Sequence, residues 1–140
     1  LSVVVTPGNT ADATVFGAVL DAIRVPRTAA GRPRSRPDRV LADKAYSSRA
    51  IRTRLRRRGI RATIPERADQ IANRHRRGTH GGRRPAFDRD LCKGRNVVER
   101  CFSRLKQLRS VATRFDKLAA RYEAGLRLAS LVLWLRHCDS

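Results

Sequence analysis

Two short apolar runs, Val40 to Ala42 and Ile60 to Ile64, bracket a single amphipathic segment. That arrangement restricts the chain to folds in which helices cover a sheet. Ser47 or Ser48 is placed to cap the intervening helix, Ile51 and Leu55 recur one turn apart to face inward, and Gly59 ends it. Arg49, Arg52, Arg54, Arg56, Arg57 and Arg58 crowd the remaining surface. The unit reads strand, helix, strand, and it sets Asp43 at the C-terminal end of the first strand. Open α/β sheets commonly hold their ligands outside such strand ends.

The same reading extends along the chain. Leu1 to Val5 is β-branched and stops at the turn Pro7-Gly8-Asn9, which predicts a strand. Val15, Phe16, Val19, Leu20 and Ile23 follow at helical spacing, with Asp12 placed to cap and Pro26 to stop. Arg27 to Arg39 is expected to be a loop. Residues 66 to 94 combine Gly78, Gly81, Gly82 and Pro85 with many Arg and show little apolar periodicity, so a long functional or disordered loop is expected. Lys117 to Arg136 predicts a final helix that turns Leu118, Tyr122, Leu126, Ala129, Val132 and Leu133 inward.

Charge narrows the partner. The 140 residues include 32 Lys and Arg against 12 Asp and Glu, a formal charge of +20, far beyond what solubility needs. A polyanion is implied, and nucleic acid suits it better than a membrane. All the cations but Lys44, Lys93, Lys106 and Lys117 are Arg, which grips phosphate bidentately, although a GC-rich genome also enriches Arg. Cys92, Cys101 and Cys138 lack metal-ligand spacing and are expected to be reduced thiols of a cytoplasmic protein. His75, His80 and His137 have no partner spacing, which supports neither a zinc site nor a Ser-His-Asp arrangement. The start of the chain has no signal-peptide pattern, and Leu128 to Leu135 is far shorter than the ~20 residues of a membrane span.

The densest chemistry lies from Arg95 to Leu108. At about 100° per residue, Val98, Cys101, Phe102, Leu105 and Leu108 share a face expected to pack. Arg95, Glu99 and Lys106 form a second stripe beside it. A carboxylate between cations suits a place where metal ions and phosphate oxygens meet. Asn96-x-x-Glu99 equally fits a capping box that starts the helix at Val97. Asp43 also suits an ordinary turn, Arg95 and Lys106 suit solvated helix charges, and Glu66 and Asp69 suit ion pairs with nearby Arg.

Taken in order, these motifs resemble the DDE transposases of the IS5/IS4 insertion-sequence type. The family's C-terminal signature is Tyr, two residues, Arg, three residues, Glu, six residues, Lys, and Arg95, Glu99 and Lys106 match its spacing, with Cys92 at the Tyr position. Leu41-Ala42-Asp43-Lys44-Ala45-Tyr46 looks like its second acidic motif. Val3 to Asn9, Ile64 to Asp69 and Arg109 to Lys117 also look like the family, so the resemblance covers nearly the whole chain.

The resemblance implies an RNase H-like α/β fold, a mixed sheet flanked by helices. It implies metal-dependent DNA strand cleavage and transfer, with Asp43 and Glu99 as metal ligands and Lys106 as a catalytic cation. Tyr46 is then expected to pack with its hydroxyl near the site. The cofactor implied is Mg²⁺, with Mn²⁺ as a substitute. DNA contacts are expected from Arg95, Lys106, Arg49, Arg52, Arg56, Arg57, Arg58, Arg76, Arg77, Arg83 and Arg84. The partners implied are terminal inverted repeats and target DNA, the upstream part of the transposase, and a second copy in a homo-oligomer, with no membrane.

The family's first catalytic Asp lies on a strand before Leu1. Residues 1–140 are therefore expected to be a partial catalytic domain, truncated at the N-terminus. The rival expectation is a catalytically inactive basic DNA-binding fragment or regulator, which needs only charge and a stable core. A basic RNA-binding protein of ribosomal type is a third reading, weakened by an aromatic content of 5% without a stacking pattern.

Overall fold

The computed structural model describes residues 2–113 and 116–138. Leu1, Arg114 and Phe115, parts of segments singled out above, lie outside the described residues, as do the side chains of His137 and Cys138. The chain divides into two compact units, residues 25–95 and residues 1–24 with 96–140.

The first of these units is built on the strand–helix–strand element. Strand β1 (Arg39–Leu41) pairs in parallel with β2 (Arg61–Thr63), with Arg39 opposite Arg61, Val40 opposite Ala62 and Leu41 opposite Thr63. Helix α2 (Arg49–Arg57) makes the crossover. Ser48 is its cap, its Oγ accepting from the Ile51 amide at 3.2 Å, as one of the two serines was expected to do. At the other end Gly59 takes φ 64°, and the Ile60 amide returns to the Leu55 carbonyl at 2.9 Å. Ile51, Leu55, Ile60 and Ile64 form the core, Leu55 and Ile64 being fully enclosed. Burying one such side chain contributes about 2–3 kcal/mol.

Beyond β2, the expected long loop is largely helical: α3 (Ala68–Arg76), a 3₁₀ turn (Gly78–Gly81) and α4 (Arg89–Lys93). Helix α3 carries almost no apolar stripe, so its period was invisible in the sequence. Polar bonds hold it instead. Gln70 Oε1 accepts from Ser47 Oγ at 2.7 Å and from the Arg67 amide at 3.4 Å, and Gln70 Nε2 donates to the Ser47 carbonyl at 2.7 Å. Arg74 clasps Glu66 through both guanidinium nitrogens, the ion pair expected for Glu66.

The second unit contains α1 (Asp12–Asp21), α5 (Asn96–Lys106), α6 (Arg109–Thr113) and α7 (Ala119–Cys138). Five sequence expectations are corrected here. Residues 2–5 form no strand, because no described segment pairs with them; instead Ser2 Oγ donates to the Val19 carbonyl at 2.7 Å. Ala11, not Asp12, caps α1, and Asp12 lies in its first turn, where a carboxylate favours the helix dipole. Helix α5 begins at Asn96 instead of Val97.

The fourth correction concerns the apolar stripe of α5: Leu105 is buried, but Val98 and Phe102 are more than half exposed and Cys101 is exposed. Helical spacing identifies a stripe but not what covers it. The fifth concerns the last helix: the inward set holds for Ala129, with Tyr122, Leu126 and Leu133 half-buried, whereas Val132 and Leu118, which precedes α7, are exposed. The Tyr122 hydroxyl donates to the Val111 carbonyl at 3.2 Å, tying α7 to α6. Among the described residues, no helix is long and apolar enough to cross a membrane.

Candidate functional site

Asp43 lies two residues beyond β1, where the chain leaves the sheet. Its Oδ1 accepts from the Ala45 amide at 2.8 Å, which caps a 3₁₀ turn, Lys44–Tyr46, and fixes the carboxylate. Its Oδ2 stands 4.0 Å from Arg95 Nη1. Both side chains are partly exposed, so the pair is long and hydrated and leaves oxygen lone pairs for a ligand. Tyr46 is half-buried in the same turn. One oxygen of Asp43 thus serves the turn, and the other stands towards Arg95.

The turn is clamped from below. Arg67 donates to the carbonyls of Lys44 and Ala45, both at 3.3 Å, while Gln70 and Arg52 close on Ser47. Sequence reasoning missed Arg67 and Gln70. Arg67 has no side-chain acceptor with which to open a capping box, so Gln70 three residues on carried no local signal.

The expected phosphate-binding arginines divide by burial. Arg52 is half-buried and its Nη2 donates to Ser47 Oγ at 3.0 Å and to the Ile64 carbonyl at 2.8 Å. Desolvation lowers its pKa, opposed by the nearby Glu66 carboxylate. Arg58 is half-buried and donates to the Ser35 carbonyl at 3.2 Å. Arg49, Arg56 and Arg57 are exposed along α2, and Arg76, Arg77, Arg83 and Arg84 are exposed further on. Arg84 also lies 3.9 Å from Glu66, and Arg76 bonds Asn73. In the other unit, Glu99 and Lys106 are both exposed on α5, seven positions and so two turns apart.

Among the described residues, no group of three or more His, Cys, Asp or Glu side chains is gathered to hold a metal ion. The donor chemistry still suits a hard divalent cation: Asp43 offers a fixed carboxylate beside a guanidinium, and Glu99 offers an exposed one.

Comparison with known proteins gives the family. The Transposase DDE domain family matches residues 1–134. A Burkholderia cepacia protein assigned as a transposase for insertion sequence element IS402 is 34% identical over 142 residues, which is 99% of this chain and 60% of that protein. The chain therefore spans about 60% of the length of this curated relative. No solved structure matches. The chain is thus a member of the Transposase DDE domain family, of the insertion-sequence type.

Proposed function

We propose that the chain is the downstream part of an RNase H-like catalytic domain that cuts and joins DNA at the ends of an insertion sequence. Residues 1–140 then form a partial domain that lacks the first acidic strand. The observation that carries this reading is the Asp43 carboxylate, fixed by the Ala45 amide where the chain leaves a parallel strand, with the Arg95 guanidinium beside it.

Mg²⁺, or Mn²⁺ in its place, would be held by Asp43 and Glu99 and would supply the charge that activates an attacking oxygen and stabilises a leaving one. The chain's own residues do the rest. Arg95 and Lys106 take non-bridging phosphate oxygens and hold the strand in register. The Lys44–Tyr46 turn keeps the Asp43 carboxylate at one orientation. The exposed arginines of α2 and of residues 76–84 hold the DNA backbone by charge, independently of its sequence. The partners are terminal repeats, target DNA, the upstream part of the transposase and a second copy of the chain, and the compartment is the cytoplasm.

Titration with Mn²⁺ under NMR observation tests the metal assignment. The Ala45 and Lys44 amide signals should broaden at low Mn²⁺, and Asp43→Asn should abolish the effect. Unbroadened signals in a chain that still binds DNA would instead support the rival reading, a basic DNA-binding polypeptide without catalysis.

A further inference from the structure

Between α1 and β1 the chain makes a closed, cationic loop. Val25 and Arg34 exchange both backbone hydrogen bonds, at 2.9 and 2.8 Å, and pinch off the residues between them. Residues 26–34 are all exposed, so burial does not hold the loop in place. It is anchored at its return limb: Arg58 donates to the Ser35 carbonyl at 3.2 Å, and the Arg61 amide donates to the Asp38 carbonyl at 3.1 Å. The Arg36 guanidinium lies over Gly59, where an added Cβ would stand 3.4 Å from its Nη1.

This anchorage sets like charges together. Arg27, Arg32, Arg34 and Arg36 lie on a segment with no acidic residue before Asp38, and it is fastened to the end of α2 that exposes Arg56 and Arg57. Asp38 is the local counter-charge. It pairs with Arg34 at 2.5 Å. Its carboxyl pKa falls below the ordinary value through the Arg34 hydrogen bond first, and through the charges of Arg34, Arg61 and Arg36. One carboxylate among several guanidiniums leaves a surplus of positive charge that a polyanion relieves. The loop has no aromatic residue on which a base could stack, so backbone contact is the mode it fits.

We propose that the 25–38 loop is a backbone-binding surface for duplex DNA, in which Arg27, Arg32 and Arg36 take phosphates and Asp38 occupies an anion position that a phosphate competes for. The inference rests on the reading that DNA is the partner, and it extends the surface of Arg56 and Arg57 by a loop to which no DNA contact was assigned.

The test is fluorescence anisotropy of the full 140-residue chain with a labelled duplex of arbitrary sequence across a NaCl series. The variant R27Q/R32Q/R36Q should lower the slope of log K against log salt by about two to three and weaken binding about tenfold or more at moderate salt. The matching Arg→Lys variant should keep the slope. Asp38→Asn should tighten binding severalfold, because it removes the competing anion. If the neutral variant fails to fold by circular dichroism, Asp38→Asn still decides the matter. A wild-type chain that binds steeply while Asp38→Asn and a folded R27Q/R32Q/R36Q both match it would overturn the loop assignment and leave the DNA reading standing. A wild-type chain that does not bind duplex DNA would overturn both.

Discussion

Arg52 and Arg56 stand one turn apart on α2, and the same side chain serves two ends. Arg52 is turned into the fold, where it satisfies Ser47 and the Ile64 carbonyl; Arg56 is turned out to solvent. Arg52→Leu should destabilise the chain by about 1–3 kcal/mol, the range for charge-assisted bonds lost to partly buried acceptors, with little change in the salt slope of DNA binding. Arg56→Gln should do the reverse. Thermal melts and salt-titrated binding measured on both variants separate the roles, and a reduced slope for Arg52→Leu with an unchanged melt would contradict this division. No local signal in the sequence could have made the distinction, since the acceptors of Arg52 lie across a turn and a strand. Glu66 shows the same dependence on distant partners. Hydrogen bonding by Arg74 holds its carboxyl pKa below the ordinary 4.5, with burial opposing and the charges of Arg74, Arg52 and Arg84 assisting. Because the folded pKa is the lower one, the stabilisation is complete above about 4.5 and is lost as pH falls through the folded value. Urea unfolding should therefore show wild type losing its advantage over Glu66→Gln on acidification below that point, and a constant difference would refute the pair's contribution.

At the scale of elements, legibility followed the locality of the signal. The β1–α2–β2 unit was readable because its cap, its Ile51 and Leu55 spacing and its glycine stop all lie within the segment they govern. Leu55→Ala should accordingly cost about 2–5 kcal/mol, measured by denaturant unfolding. Helix α3 was not readable, because it is held by Gln70 and Glu66 through partners elsewhere in the unit. The Asp43 carboxylate was placed correctly at a strand end by sequence alone, but the clamp beneath its turn was not foreseen. Gln70→Ala should loosen that clamp and accelerate hydrogen exchange at the Ala45 amide while leaving the α2 amides protected. Equal acceleration throughout the unit would show a general loss of stability instead. Helix α5 is the opposite case: its period was evident, yet its stripe is mostly uncovered. Phe102→Ser should then change the stability of this chain by no more than about 0.5 kcal/mol, the range for surface positions, and a larger loss would show Phe102 to be packed.

At the scale of the molecule, binding and cutting make different demands on charge. On the proposed reading a formal +20 holds a duplex, and the exposed arginines of α2 and residues 76–84 distribute that hold. Cutting requires the opposite sign at one point. Under the proposed function, two dications would bring four positive charges to a scissile phosphate, and Asp43 and Glu99 would return only two negative ones. A third carboxylate would help hold the ions against the pull of the phosphate. We therefore expect the 140-residue chain with Mg²⁺ to bind terminal-repeat DNA without nicking it, and a version extended upstream through a further Asp-bearing strand to nick and join it. In that longer protein Asp43→Asn and Glu99→Gln should each reduce cleavage by several orders of magnitude and leave DNA affinity within a few-fold, since neither residue is a cation. A supercoiled-plasmid nicking assay on both lengths decides the question. Nicking by the 140-residue chain that Glu99→Gln removes would make two carboxylates sufficient and the charge argument wrong.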